Sequence, residues 1–515
     1  MDNTLLTGVW EITMGCNMRC KHCGSICEDK LPDELTTAEA LALCDDLHAL
    51  GLKNITISGG EPTLRDDWPL IAKRLTDHGI QTSMITNAWI FDETLLKKAV
   101  DAGLLAIAIS IDGLRQTHDH IRRPGSFDKD IAALRMIKDS PVLPAVITTV
   151  NSANISELHE MHTLFREIGL HTWQLQLALP MGSLMHNTSF FLEPYHLNQL
   201  IDFAHDKMND GIDLVMGDNV GYFSRKALEI SMKLYPDGGY WEGCSAGKHT
   251  IGILHNGDIT GCTSMRDREF IEGNIRERSV IDIWNSEASF AWNRQMKKTS
   301  LKGLCAKCRY DKCLGGCSNL RLCMNGDIYS ENKFCSYHME VDRVAQRLAS
   351  INDVDKLRNN ACSLASKGQF QSAELVLAKL LDMNPQDVEM KELYGYVHFE
   401  LGNYELCARQ NREVLRINPE SAYATKGLGL ALYRQGNVED GLKHMYDAIN
   451  MKNGSNAEIY YDLFAVLMSL QRIEEALQVK ELAKSSTGYD IWHEQFESAL
   501  ASTATNVNKL TAISG

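Results

Sequence analysis

The stretch Val9-Trp10-Glu11-Ile12-Thr13-Met14-Gly15-Cys16-Asn17-Met18-Arg19-Cys20-Lys21-His22-Cys23 sets the reading of the whole chain. Val9–Met14 has the composition of a strand, and three cysteines follow it at once. Thiols separated by three and then two residues can wrap one corner of a cubane cluster. Cluster iron is ordinarily held by four thiolates, so a three-thiolate loop leaves one iron open to a cofactor or substrate. A zinc knuckle completed by His22 or Cys27 is the alternative reading of the same spacing.

Working outward, further strands are expected at Asn54–Ser58, Gln81–Thr86, Leu105–Ile111, Val142–Val150 and Trp173–Leu179. Helical periodicity lies between them at Thr37–Leu50, Asp67–His78, Asp92–Ala102 and Ser156–Ile168. Strand–helix alternation of this kind implies a parallel sheet with crossover helices, either an open doubly wound sheet or an incomplete barrel. Groups able to meet a ligand stand at strand ends, where α/β sites are built. Gly59-Gly60-Glu61 ends the second strand, where paired glycines let a ligand approach the backbone and Glu61 can anchor an amino group. Thr86-Asn87 ends the third and shapes the site. Ser110-Ile111-Asp112-Gly113 ends the fourth, where a hydroxyl and a carboxylate suit a ribose.

The 515 residues exceed one hydrophobic core, so two to four domains are expected. Hydrophobic content of 44% and charged content of 23% are those of an ordinary globular protein. A net charge of −15 argues against nucleic-acid binding, which needs a basic face. No targeting segment is visible at Met1-Asp2-Asn3-Thr4, and Ala102–Ile111 is too short to span a bilayer, so a cytoplasmic protein without a membrane partner is expected.

Cysteine usage agrees with a reducing compartment. Of 15 cysteines, ten fall into two spaced groups; Cys27, Cys44, Cys323, Cys362 and Cys407 stand apart and read as small buried hydrophobes. The second group is Cys244, Cys262, Cys305, Cys308, Cys313, Cys317 and Cys335. The surrounding segment, about 215 to 345, is rich in glycine and turns and is expected to bury little core of its own, so metals would hold it together. Structural zinc is the rival, because Cys305-x2-Cys308 is a common zinc spacing.

Beyond residue 355 the chain repeats itself. Gly368-Gln369-Phe370, Gly402-Asn403-Tyr404 and Gly436-Asn437-Val438 recur every 34 residues, as do Asn384-Pro385 and Asn418-Pro419. Ala361, Gly395 and Gly429 precede those glycines by seven residues, where two helices need close approach. A degenerate fourth unit passes through Gln471-Arg472-Ile473. The period resembles that of tetratricopeptide repeats.

Residues 1–215 resemble the radical SAM superfamily, on the strength of Cys16, Cys20 and Cys23, Gly59-Gly60-Glu61 and the stretch Ser110-Ile111-Asp112-Gly113 … His118 … Arg122. The resemblance implies a partial (β/α)6 barrel and a [4Fe–4S] cluster whose open iron is chelated by S-adenosylmethionine (SAM). One electron then gives a 5′-deoxyadenosyl radical, which abstracts a hydrogen atom from substrate. By the same resemblance Gly60 and Glu61, with Gly59, meet the methionyl amine, Ser110 the ribose and Arg122 the carboxylate. Arg123 is the rival for that last role.

The second group resembles the SPASM extension of peptide- and protein-modifying relatives. That implies two auxiliary [4Fe–4S] clusters, one on Cys305, Cys308, Cys313 and Cys335, the other on Cys244, Cys262 and Cys317. The latter lacks a fourth cysteine between Cys244 and Cys262, so Cys323, a carboxylate, water or substrate would complete it. The expected division is a barrel at 1–215, a SPASM domain at 216–350, repeats at 355–500 and a tail at 501–515.

The resemblance implies a peptide maturase that forms a carbon–carbon, ether or thioether cross-link in a ribosomally made precursor peptide. Its partners would be that precursor, an external electron donor of flavodoxin or ferredoxin type, and a carrier or leader-binding protein held by the repeats. Sulfatase-type residue oxidation is disfavoured because Thr263 follows Cys262, where that branch carries an acid. A non-peptide substrate such as haem is the remaining alternative.

Overall fold

A computed structural model describes residues 5–217, 225–234, 243–308, 310 and 312–511. Two compact units emerge, Met1–Met339 and Glu340–Gly515. The first is built on a ten-stranded sheet. Its strands are β1 (Thr7–Glu11), β2 (Asn54–Ser58), β3 (Gln81–Thr86), β4 (Ala106–Ser110), β5 (Leu143–Val150), β6 (Thr172–Leu177), β7 (Asp213–Met216), β8 (Thr250–Ile253), β9 (Asp258–Thr260) and β10 (Ile271–Asn274). The spatial order is β10-β9-β8-β1-β2-β3-β4-β5-β6-β7, parallel from β8 through β7. Crossover helices connect the strands, giving a partial barrel.

The sheet has two chemically different faces, because successive side chains alternate across a strand. Trp10, Ile55, Ile57, Met84, Ile109 and Trp173 are almost fully buried and belong to the main core. Complete burial of each such side chain contributes about 1.5–3 kcal/mol. Glu11, Thr56, Ser58, Ser83, Thr149 and Gln176 occupy the opposite face, paired in register as Glu11 with Ser58, Thr56 with Ser83 and Thr149 with Gln176. This inner face carries those polar side chains beside Val9, Ile85 and Ile147, a mixture that suits the lining of a ligand cavity better than a packed interior.

The six expected strands are present within two residues at most ends. The sheet extends further than the sequence suggested. β7 adds a seventh parallel strand beyond β6. The cysteine-rich segment, expected to bury little, also supplies β8, which hydrogen-bonds directly to β1. Ile251, Ile253, Ile259, Trp284, Phe290 and Phe334 therefore join the core of the barrel. Short strands without a core of their own are stable here because they complete an existing sheet.

The second unit is helical. Its paired helices are Val354–Ser366 with Phe370–Met383, Val388–Glu400 with Tyr404–Ile417, Ala422–Arg434 with Val438–Asn450, and Ala457–Ser469 with Ile473–Ala483. Asp353, Asp387 and Ser421, each 34 residues apart, cap the first helix of their repeats by accepting from a backbone N–H three residues on. A final helix runs from Tyr489 to Thr511, so residues 501–511 of the expected tail are helical; 512–515 lie outside the described residues. Gly429 lies so close to the neighbouring helix that a Cβ would stand 2.7 Å from the Gly441 carbonyl oxygen.

The fourth repeat carries one extra residue and a chemical irregularity. Gly368, Gly402 and Gly436 hold positive φ between paired helices; the corresponding turn of the last pair uses Gln471 at φ 59°. Left-handed backbone is costly for a residue with a Cβ. Gln471→Gly is expected to stabilise the repeat unit by about 0.5–1 kcal/mol. The check is a higher midpoint in its denaturant unfolding, followed by helical circular dichroism.

Candidate active site

The loop leaving β1 carries Cys16, Cys20 and Cys23 at the carboxyl end of the sheet, each partly exposed. Backbone bonds fix the loop: Cys16 N–H donates to the Glu28 carbonyl at 2.7 Å, and Lys21 N–H to that of Ile121 at 2.9 Å. Donors from other strand ends approach the sulfurs. Asn87 Nδ2 lies 3.7 Å from Cys16 Sγ, and Arg122 Nη1 lies 3.9 Å from Cys20 Sγ. The Cys27 thiol donates to Cys23 and brings its thiol down to about 5, against the effect of burial. Burial pushes Cys20 up to about 11 and also raises Cys16.

The zinc alternative for the first loop turns on the placement of His22. His22 Nε2 donates to Asp112 Oδ2 at 2.6 Å, while its buried Nδ1 has no hydrogen-bond partner among the described residues.

Close packing against the cysteine loop requires glycine at positions 59 and 60. A Cβ on Gly59 would stand 2.4 Å from the Thr13 carbonyl oxygen, and one on Gly60 would stand 2.3 Å from that of Gly15. The loop is bonded there, with Gly60 N–H donating to the Thr13 carbonyl and Glu61 N–H to that of Gly15, both at 2.8 Å. Glu61 is fully buried. Its oxygens accept from Thr63 N, Thr63 Oγ1, Thr86 Oγ1 and Asn87 N at 2.6 to 3.2 Å. Its carboxylate thus ties the ends of β2 and β3 together. Asn87 also donates to Asn17 Oδ1 at 2.8 Å, so Thr86-Asn87 shapes the cysteine loop.

Ser110 closes β4, its side chain on the inner face by the alternation of the strand. Asp112, two residues on, is fully buried and committed to protein partners, not free for a ribose. Burial opposes its ionisation, but Arg122 and His22 outweigh that and hold its carboxyl far below the usual carboxylate range. Arg122 is nearly buried beside it. Arg123, by contrast, stacks over Trp89 at 3.8 Å and donates to the Asn17 carbonyl at 3.2 Å on the exposed side. The two arginines are thereby separated, one facing inward and one occupied at the surface.

A pair absent from the sequence reading lies on the same inner face. Arg266, four residues after Cys262, forms an ion pair with Glu11 at the end of β1 and donates to Ser25 Oγ at 2.5 Å. Glu11 and Arg266 are 255 residues apart, and no local spacing announces the contact.

Cys305, Cys308, Cys313 and Cys335 line one cavity together with Tyr310, Asn332, Tyr337 and His338. Burial, then the neighbouring thiols, pushes Cys335 up to about 12 apart from local backbone bonds that oppose it, and raises Cys313 further. Four thiols on one cavity form a donor set that fits a four-thiolate iron–sulfur cluster. Cys244, Cys262 and Cys317 do not line that cavity. Cys317 begins the helix Ser318–Asn325, its sulfur accepting from Leu320 N–H at 3.5 Å. Cys323 on that helix donates to Asn319 Oδ1 at 3.5 Å. Asn319 Nδ2 in turn lies 4.0 Å from Met181 Sδ, and Met181 packs on Gly24 beside Cys23.

Comparison with known proteins gives the same order of parts. Residues 10–165 match the radical SAM superfamily, 244–309 match the SPASM iron–sulfur cluster-binding domain, and 358–406 and 408–458 match tetratricopeptide repeats. An AdoMet-dependent heme synthase of Methanosarcina barkeri is 28% identical over 65% of this chain and 98% of its own length. The mycofactocin maturase MftC of Mycobacterium tuberculosis is 26% identical over 60% of this chain and 77% of its own. Among solved structures, Streptococcus suis SuiB bound to S-adenosylmethionine superposes with a TM-score of 0.52 at 16% identity, covering 65% of this chain and 78% of SuiB. Radical SAM and SPASM domains imply [4Fe–4S] clusters and SAM binding. No helix among the described residues is long and apolar enough to cross a membrane.

Proposed function

We propose that this chain, a radical SAM enzyme with a SPASM extension and tetratricopeptide repeats, matures a ribosomally made peptide by forming a carbon–carbon, ether or thioether cross-link. The observation that carries the reading is the repeat unit behind the cysteine-rich segment. The alignment with the Methanosarcina heme synthase accounts for 98% of that protein, which leaves it no room for a unit of this size. Repeats of this kind present extended surfaces to peptides and proteins.

In this reading Cys16, Cys20 and Cys23 hold the SAM-binding cluster. The Gly59-Gly60 backbone meets the methionyl amine while Glu61 keeps the loop in place; Ser110 meets the ribose and Arg122 the carboxylate. Cys305, Cys308, Cys313 and Cys335 hold one auxiliary cluster. Cys244, Cys262 and Cys317 hold a second, whose fourth ligand is Cys323, a carboxylate, water or substrate. When bound, cluster and cofactor supply a radical that removes a hydrogen atom from the peptide. An external flavodoxin- or ferredoxin-type donor provides the electron that cleaves SAM; as the cross-link closes, a proton is released and the electron left behind would pass to the auxiliary clusters. The polar inner face of the sheet positions the peptide and the strand-end loops exclude water.

The repeats recruit the precursor or its carrier protein. On their first helices Tyr396 and Tyr423 are 46% and 40% exposed. Lys426 there is paired with both Glu458 and Asp462, at 3.2 and 2.8 Å. Carboxylates outnumber the lysine, so this face suits a basic stretch of leader sequence.

Co-expression with each short reading frame found beside this gene, followed by mass spectrometry, tests the reading. The full chain is expected to produce a peptide that has lost hydrogen. A chain ending before Val354 is expected to modify it at least about tenfold more slowly at low peptide concentration, because recruitment raises effective concentration. The heme-synthase likeness favours one rival, haem-type chemistry. Conversion of added Fe-coproporphyrin III with an unmodified peptide would establish that rival instead.

A further inference from the structure

Asp112 engages four parts of the chain from one buried position. Its Oδ2 accepts from Arg122 Nε at 2.5 Å and from His22 Nε2 at 2.6 Å. Its Oδ1 accepts from Thr149 N–H at 2.7 Å, and its own N–H donates to His118 Nδ1 at 3.1 Å. His118 is therefore protonated on Nε2, which faces Ser126 Oγ at 2.8 Å and Asp130 Oδ2 at 3.1 Å.

These bonds decide where a guanidinium points. With Nε held by Asp112, Arg122 has only its terminal nitrogens left, and Nη1 stands 3.9 Å from Cys20 Sγ. The fork is thereby turned toward the cysteine loop. His22 lies on that loop between Cys20 and Cys23, so one carboxylate oxygen holds both the fork and the loop. A planar fork grips a carboxylate through two parallel bonds only when its plane is fixed. Free rotation about Cδ–Nε would forfeit that geometry while leaving the charge.

We propose that Asp112 is a positioning residue that sets the plane of the Arg122 fork for the carboxylate of SAM. The proposal rests on reading Arg122 as the group that meets that carboxylate. Asparagine cannot replace Asp112, because N–H donors face both of its oxygens and an amide NH2 would meet one set of them. Glutamate keeps the charge and displaces it by one methylene.

The test uses the full-length reconstituted protein, reduced with dithionite and titrated with SAM. The change in the electron paramagnetic resonance signal of the cluster reports binding, and iron content is measured in parallel. Asp112→Asn is expected to keep the iron content of the natural protein and to need roughly tenfold or more SAM for half of the spectral change, the loss expected of a hydrogen bond to a charged group. Asp112→Glu should fall between the two. An Asp112→Asn protein that titrates like the natural one overturns the proposal. So does one that fails to hold iron, since that would make Asp112 a scaffold of the loop. Arg122→Ala separates the premise: undiminished affinity there removes Arg122 from the carboxylate whatever Asp112 does.

Discussion

Cys23→Ser is expected to leave a folded chain that no longer cleaves S-adenosylmethionine. The loop around Cys23 is held by its backbone, not by the sulfur. Ser183 N–H donates to the Cys23 carbonyl at 2.8 Å, Cys16 N–H to Glu28, and Lys21 N–H to Ile121. A serine fits the same space, so circular dichroism should not change. The chemistry is another matter. Cys23 is the thiol of the three that ionises most readily, through the bond from Cys27, and a serine hydroxyl is a far poorer ligand for iron. Formation of 5′-deoxyadenosine from SAM and dithionite should fall at least about a thousandfold, equivalent to ~4 kcal/mol of barrier. Chromatographic quantitation of that nucleoside is the measurement. Retained cleavage would take Cys23 out of the ligand set and bring Cys27, four residues on, into it.

The second large effect belongs to Gly60→Ala. Here the added methyl would stand 2.3 Å from the Gly15 carbonyl oxygen and 2.7 Å from its carbon. Neither side can yield easily, because the flanking hydrogen bonds to Thr13 and Gly15 hold the two loops in contact. A cost of about 3 kcal/mol or more is expected, as for other overpacked buried sites. Gly15 immediately precedes Cys16, so relief of the clash would displace the cysteine loop itself. Iron content and SAM binding should both fall, along with the thermal midpoint. Gly79→Ala is the control: φ there is +76° but nothing lies within 4 Å of the added carbon. It should cost only about 1 kcal/mol and leave iron content unchanged. Equal losses in the two variants would mean that backbone conformation, not the close approach to Gly15, explains the glycine at position 60.

Both expectations show where sequence reasoning reached and where it stopped. The paired glycines were legible as a strand-end feature, but their cause was not. Glycine permits a ligand and a neighbouring backbone to approach equally well, and only the position of Thr13 and Gly15 separates the two. Glu61 is a similar case. A carboxylate at a strand end reads as a ligand group, yet here four donors from Thr63, Thr86 and Asn87 use it as a tie between strands. The rivalry between Arg122 and Arg123 also had no local solution, since adjacent arginines are alike until Asp112 takes one and Trp89 the other. The repeats, in contrast, were readable almost to the residue, because each 34-residue unit contacts chiefly its neighbours and the period is written along the chain.

By itself the sequence determined the strand–helix alternation, the cysteine loop at the end of β1, the second cysteine group and the helical repeats. Each is encoded by spacing over a few residues or by a fixed period, which is where side-chain periodicity and ligand reach act. Tertiary structure alone decided that β8 from the cysteine-rich segment completes the sheet beside β1, and that Arg266 meets Glu11. It also decided that His22 and Arg122 share one oxygen of Asp112. The contacts of β8 with β1, of His22 with Asp112 and of Arg266 with Glu11 join residues at least 90 positions apart, up to 255 for Glu11 and Arg266. Nothing in local spacing records them, because they exist only once the sheet has brought the ends of its strands together.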